Sequence, residues 1–433
     1  MHANQLLRNR CLLAGFFSVA WLLSSAQADV TKVEFTVEAG KFDRANVPVR
    51  VPVKVKVQDK SPSIVVTAPS GKQLAGQLCH PNLLAKGAAA EGGELCFILP
   101  SLKAGQTAAF TAIISSEPSD SSSITTESFQ WKDTPGESNT LSFGARSVLK
   151  YQYKTYDTTT KDAREETFKV FHHVYDPTGK FLVTNGPGGF APDHGKINFP
   201  HHRGVFYGFN KVTYDGNKAA DIWHCTGDTH QSHAGFLQSD AGPVVGRHRL
   251  AIDWCGQKAD PPFAKEEREL TAYNVPGGTL LEFASRLTPT KGPVKLDGDP
   301  QHAGFHFRAH NDVNDKTAKQ TYYLRPDGKG KLDETRNWPA QKEHVNLPWD
   351  CMSFVLNDQR FTIEYIDQPT NPKEARFTER DYGRFGSYFV KEVKPEEPLE
   401  VNYRLWLQAG EMSSEQAAAL DSDLVEPVKV VVK

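Results

Sequence analysis

Hydrophobic positions along this chain recur mostly at every second residue. Val47, Val49, Val51, Val53, Val55 and Val57 alternate with polar residues or proline, which is the period of a half-buried strand. SIVVTA, ELCFIL and AAFTAII follow, separated by turns rich in glycine or containing proline. These runs predict a small β-sandwich over residues 29–116. Residues 117–127 are dominated by Ser, Thr and acidic residues and have little to bury, so they read as a linker. Residues 128–433 form a second, larger domain. SVLKYQYKTY, ETFKVFHHVY, GTLLEFASRL, AGFHFRAH, DCMSFVLN, RFTIEYI and EVNYRLWLQ are its clearest strand runs, punctuated by DPTG, DG and PDGKG turns. Only the tail, SSEQAAALDSDL, reads as helical, with Ser413 and Gln416 at capping-box spacing. No βαβ alternation is present. The predicted fold is therefore all-β, with a small N-terminal β-sandwich followed by a large antiparallel β-sandwich.

The first residues change the picture of where the chain works. Arg8 and Arg10 precede an apolar run, residues 11–23, and Ala26-Gln27-Ala28 is a small-x-small cleavage pattern. Residues 1–28 thus read as a signal peptide, and the expected location is secreted or periplasmic. No other apolar run is long enough to span a bilayer. The formal charge is -2, so no basic excess favours nucleic acid as a partner. Five cysteines follow the signal: Cys79, Cys96, Cys225, Cys255 and Cys351. Export permits disulfides, and Cys79 and Cys96 sit in adjacent strand runs as the candidate pair.

Candidate chemistry concentrates in the second domain. Thirteen of the 15 histidines fall between His172 and His344. FPHHRG brings His201, His202 and Arg203 to the start of a strand, and DIWH brings Asp221, Trp223 and His224 to the end of the next. His230 and His233 follow in a polar loop. QHAGFHFRAH then supplies His302, His306, Arg308 and His310. Period two places His306, Arg308 and His310 on one face and Phe305, Phe307 and Ala309 on the other. Such a face meets solvent or a polar cleft, because burying it without partners is costly. Adjacent strand residues point to opposite faces, so His201 and His202 share a site only if Pro200 and Gly204 bend the backbone. The reading is that one of these histidines and Arg203 face the site.

A divalent metal is one expectation, with His224, His230 and His233 as ligands at the loose spacing H-x5-H-x2-H. Without metal, histidine is a proton-transfer group near neutral pH. His201, His202, Arg203, Asp221, His306 and Arg308 are the candidate catalytic residues. Trp223, Tyr207 and His302 are the candidate substrate-binding residues. Glu282 and Asp221 are the carboxylates to watch. No nucleophile elbow, P-loop or dinucleotide fingerprint is present.

PHHRGVFYGFNKV, DIWHCTG, QSH, GDPQHAGFHFRA and GRFGSYF…VNYRLWLQAGE together resemble the secreted bacterial PmoA-like ("methane oxygenase PmoA") family. Many relatives read H-P-H-H-R-G. Here Phe199 stands at the first histidine, whose role is absent or filled by another residue such as His194. The resemblance implies export, a β-rich fold and a setting of carbohydrate degradation, and the large sandwich is read as comparable to a mutarotase-type supersandwich. It marks His201, His202, Arg203, Asp221, Trp223, His224, His233, His302, His306 and Arg308 as the site and assigns them no roles. The leading expectation is a carbohydrate-active protein that acts on a sugar or oligosaccharide by proton transfer, as a lyase, epimerase or hydrolase. A non-catalytic glycan-binding or surface-assembly protein and a metal-dependent oxidoreductase are the alternatives.

Overall fold

The valine alternation becomes an edge strand. Arg44–Val53 buries Val47, Val49, Val51 and Val53 and turns the intervening residues outward. Pro48 and Pro52 are tolerated because this strand lies at one end of its sheet, where missing N–H groups cost least. The computed structural model describes residues 30–57, 62–115, 127–188, 198–257 and 260–433. The signal-like segment, most of the 117–127 stretch and His194 lie outside the described residues.

The N-terminal sheet has seven strands, in the order Arg44–Val53, Gly93–Leu102, Gln73–Cys79, Ser63–Thr67, Thr107–Ser115, Val30–Glu38 and Lys429–Val432. Its last member returns from the far end of the chain and pairs antiparallel with the first strand, Phe35 opposite Val432. Phe35, Phe97 and Phe110 centre a core separate from the larger one. Cys79 and Cys96 lie on neighbouring strands, Cys79 opposite Glu94 and Cys96 opposite Gln77. Both are free thiols, as are the other three described cysteines.

Two larger antiparallel sheets face each other in the rest of the chain. One has eight strands, in the order Arg376–Arg380, Arg384–Tyr388, Ala303–Arg308, Val205–Phe209, Phe171–Val174, Arg146–Gln152, Ser138–Phe143 and Phe129–Thr134. The other has nine, running from His230–Ala241 at one edge through Val245–Cys255, Ala264–Tyr273, Thr279–Pro289, Leu399–Ala409, Gln359–Asp367 and Trp349–Leu356 to two short strands. Tyr207, Phe305, Phe307 and Phe385 from the first sheet pack against Leu270, Phe283, Ile363 and Tyr403 from the second. Their rings interdigitate, with Phe283 and Phe305 4.4 Å apart between centroids. This is the all-β sandwich that the alternation predicted. Among the described residues, no helix is long and apolar enough to cross a membrane.

Helical structure is short and was only partly anticipated. Ser414–Val425 is a helix with a complete capping box: the Ser413 hydroxyl accepts from Gln416 N–H, and Gln416 Oε1 accepts from Ser413 N–H. A second helix, Lys161–Thr167, was not expected, and it takes the first residues of the ETFKVFHHVY run. Thr160 caps it by accepting from Ala163 N–H at 3.0 Å. Five of the seven residues of KDAREET are good helix formers and Thr160 caps them, so local structure wins there, and the strand begins at Phe171.

The seven-stranded sheet and the larger sandwich meet through buried ion pairs. Arg247, 2% exposed, reaches Asp240 at 2.8 Å, Glu94 at 3.4 Å and Glu269 at 3.7 Å. Glu282 belongs to the same contact. It is held by Arg50, by Arg404 at 2.6 Å and by the Tyr273 hydroxyl at 2.9 Å. It is therefore a joint between the two units, not a candidate acid beside the histidines.

Candidate functional site

The strand Ala303–Arg308 lies between Val205–Phe209 and Arg384–Tyr388, with His306 opposite Phe206 on one side and Gly386 on the other. Pleating sends Phe305, Phe307 and Ala309 into the core and leaves His306 and Arg308 on the outer face. That outer face is not solvated: His306 and Arg308 are both 0% exposed. Gly386 makes the close approach possible. Its φ is 154°, and a Cβ would run into the Phe305 carbonyl and the His306 ring. His310 lies past the end of the strand, where its Nδ1 accepts from Asp312 N–H.

The turn before Val205 delivers two adjacent histidines to this face. Gly204, at φ 47°, presses on the His172 carbonyl, where any Cβ would collide. The irregular backbone frees His201 and His202 from strand alternation, and their rings lie 4.1 Å apart. His224 and His302 arrive from two further turns. Each donates Nδ1–H to the aspartate three residues earlier: His224 to Asp221 at 2.8 Å and His302 to Asp299 at 2.8 Å. Asp221 also accepts from the backbone N–H of Trp223 and His224, which fixes the turn. Asn210 holds Asp299 at 2.6 Å. His224 lies 4.7 Å from both His201 and His302 between centroids, and His202 lies 6.2 Å from His302.

Aromatic and cationic groups close the cluster. Trp223, 0% exposed, packs edge-on to His306 at 4.7 Å and against Phe206 at 4.7 Å. Arg384 donates to the Gln301 carbonyl at 2.8 Å and to His306 Nδ1 at 3.2 Å. His306 therefore carries its proton on Nε2, which donates to the Ala303 carbonyl at 2.9 Å. Arg308 lies over the Tyr382 ring at 4.9 Å and donates through Nη1 to the Tyr382 carbonyl. Phe199, 41% exposed, stacks on Tyr382 at 4.8 Å. Lys169 donates to the Trp223 carbonyl, and to the His201 carbonyl at 3.2 Å, from beneath.

Several buried polar atoms here have no hydrogen-bond partner among the described residues. They are both ring nitrogens of His202, Trp223 Nε1, Arg308 Nε and Nη2, and Arg384 Nη2. Buried donors in native folds are normally satisfied, and exceptions in one place call for an explanation. Burial, reinforced by neighbouring cations, makes these imidazoles neutral. His201 is pushed down to about 2 by burial, then by Lys169 and its neighbouring histidines. His202 and His306 are pushed far below the usual range by burial, and then by Arg384. Burial also lowers Lys169 to about 8 and Arg308 to about 10. The site thus combines neutral imidazole lone pairs with guanidinium charge. An open groove of about 540 Å³ meets the cluster only at Asp221 and at Asn210, the partner of Asp299; its other lining residues, among them Thr213, Thr226 and Gln257, lie outside the cluster.

The structure brings together His201, His202, Asp221, Trp223, His302, His306 and Arg308. It also adds His224, though not in the metal set expected for it. His230 stacks on Tyr156 at 3.7 Å and bonds to the Asp228 carbonyl, while His233 packs on Tyr153 and bonds to Tyr151. Neither joins His224, because the strand starting at His230 carries both away. Arg203 turns from the site as well. It donates to the carbonyls of Pro200, Glu165, Glu166 and Lys169 and lies over Phe168 at 4.0 Å, so it fastens the end of the helix Lys161–Thr167. Tyr207 points into the core against Trp254 and Phe283, since it has the opposite strand parity to Phe206. Trp223 has its faces covered and offers a ligand only its N–H.

Sequence reasoning missed Asp299, Arg384, Tyr382 and Lys169. A signal existed for the first: DIWH and DPQH are two copies of Asp-x-x-His, and both fold into the same carboxylate-anchored imidazole. For Arg384, the alternation in RFGSY was available. For Lys169 nothing marked the residue.

A solved structure from Enterococcus faecalis, titled as a protein in the glycosyl hydrolase family 38, is similar at 10% identity with a TM-score of 0.41. The match covers 93% of this chain and 47% of that one, so this chain spans about half its length. No curated protein matches this chain. Residues 138–421, which hold the whole outer-face cluster, match the model of a family of unknown function (DUF6807), and the chain belongs to that family.

Proposed function

We propose that this protein is an exported carbohydrate-active enzyme that acts on an acidic sugar residue by proton transfer, as a lyase or epimerase does. One observation carries the reading. Buried guanidinium donors, Arg308 Nε and Nη2 and Arg384 Nη2, have no partner among the described residues and sit beside neutral histidines. A buried cation without a counter-charge is costly, and a sugar carboxylate would supply one with matching fork geometry. The groove that reaches the cluster at Asp221 has the volume of a few sugar units, although neither the histidines nor the arginines line it. The resemblance to PmoA-like secreted proteins adds the export and the carbohydrate setting.

The chemistry follows from the groups. A carboxylate on the arginines acidifies the neighbouring C–H, because the charge that develops on the enolate meets fixed positive charge. His224 Nε2 takes the proton, and Asp221, bonded to Nδ1–H, orients the ring and stabilises the imidazolium. In a lyase the freed electron pair forms C=C, the glycosidic C–O bond breaks, and the departing oxygen takes the proton that His224 holds. In an epimerase a proton from water reaches the carbon from the other face, and His224 returns its own to water.

The test is a panel of uronate-containing oligosaccharides, read by ultraviolet absorbance of unsaturated products and by solvent deuterium incorporation. His224→Ala should slow turnover by about a hundredfold or more. Neutral sugars turned over as well as acidic ones would overturn the assignment of the arginines. Binding with neither elimination nor exchange would favour a glycan-binding protein, for which the exposed Phe199–Tyr382 stack is the supporting observation.

A further inference from the structure

The same face carries a second kind of chemistry. We infer that His201, His202 and His302 form a site for one divalent transition metal of the zinc class, with Asp299 as the carboxylate behind it. The inference goes beyond the proton-transfer reading, because the metal would bind whether or not an acidic sugar is the substrate.

Four features support this ligand set. One nitrogen from each of the three histidines lies within 4.8 Å of the others. A tetrahedral zinc site places such nitrogens about 3.3 Å apart, so the rings would have to close on the ion as it binds. His202 is 1% exposed and has neither ring nitrogen bonded among the described residues, so its ring packs on Phe199, Trp223 and Tyr382 while its polar edge is unused within the fold. His302 is presented as a ligand usually is. Its Nδ1–H is fixed on Asp299 at 2.8 and 3.0 Å, and Asn210 fixes Asp299, so Nε2 carries the lone pair. Finally, all three donors are imidazoles with no lysine or arginine bonded to them, and three protein ligands leave a fourth position open, as in catalytic sites.

One other described group has ligand spacing: His344, Asp350 and Glu379. There Arg325 already holds both Glu379 oxygens, at 2.7 and 2.5 Å. A metal ion would have to displace a buried guanidinium, so this cluster is the weaker candidate. On the outer face, His224 stays outside the metal set and free to act as base, with its own anchor Asp221.

The experiment uses the full chain without a histidine tag, stripped with chelator and titrated with cobalt(II) and then zinc(II). One equivalent of cobalt should bind with the visible absorption of a low-coordinate nitrogen site, and zinc should displace it one for one. His201→Ala and His302→Ala should abolish the band. Asp299→Asn should weaken binding by about ten- to a hundredfold with circular dichroism unchanged, and it serves as the readout if an alanine variant fails to fold. His230→Ala should leave binding intact. Folded wild-type protein that binds no stoichiometric metal would overturn the inference, as would binding that survives both alanine changes or is untouched by Asp299→Asn. Each result is read without substrate, so metal binding and proton transfer stand or fall separately.

Discussion

Arg203 and Arg308 are both fully buried guanidiniums, and their partners set them apart. Arg203 spends its donors on backbone carbonyls at the end of a short helix. Arg308 bonds only to the Tyr382 carbonyl and leaves Nε and Nη2 without partners among the described residues. Arg203→Ala should therefore lower stability by about 3 kcal/mol, the cost of stranding several carbonyls and opening a void. Arg308→Met should leave the thermal midpoint unchanged or higher, because an isolated buried charge is replaced by an apolar group of similar length. The same change should cut affinity for an acidic ligand at least tenfold. Thermal unfolding and calorimetric binding on the two variants check both statements, and equal destabilisation would refute the distinction. In sequence the two arginines look alike, each next to a histidine motif. Strand parity placed Arg308 on the outer face, but nothing local says which buried donors will find carbonyls.

The elements show the same division. The helix Ser414–Val425 was legible because its start signal is local: the Ser413–Gln416 box closes within one turn. Ser413→Ala should cost about 1 kcal/mol, read as a shift in the denaturant midpoint with its slope unchanged. A shift below a few tenths would mean that packing, not the cap, fixes this end. The alternation around Phe305 and Phe307 was legible for the same reason, since period two needs only neighbours. The helix Lys161–Thr167 is hidden in the sequence because apolar residues beyond it, from Phe168 on, extend the strand pattern back over its end. The pairing of Val30–Glu38 with Lys429–Val432 joins the two ends of the chain, and no local pattern encodes a partner that far away.

At the scale of the whole molecule, the unusual feature is how many histidines burial, full or partial, keeps neutral. His172, His173, His201, His202, His248 and His306 are all pushed below the usual range, with burial the largest cause. His173 and His248 fall to about 3. In the unfolded chain these groups titrate near 6.5. Between that value and their folded ones the unfolded state holds more protons, so stability is full above about pH 6.5 and falls as pH drops. Asp350 and Glu364 act in the opposite sense. Burial raises both carboxyls, so the native state holds their protons longest and they offset part of the loss. The net expectation for metal-free protein is a urea midpoint that declines steadily from about pH 6.5 to pH 4.5, with uptake of several protons on unfolding. A flat midpoint across that interval would show that the histidines are not neutral in the fold.

The sequence by itself determined the all-β class, most of the strands, the capped C-terminal helix and the stretches that supply the histidine cluster. Each of these rests on interactions between residues close in the chain: alternation, turn chemistry, a cap, a cluster of histidines. Tertiary structure decided which histidines meet. His230 and His233 follow His224 closely in sequence, yet a strand carries them off to Tyr156 and to Tyr151 and Tyr153. His302 is far along the chain, yet it comes within reach of His201 and His202 because the strand that follows it pairs beside the strand that follows them. Register between strands and the bend at Gly204 set those distances, and both depend on contacts that form only when the sheet does.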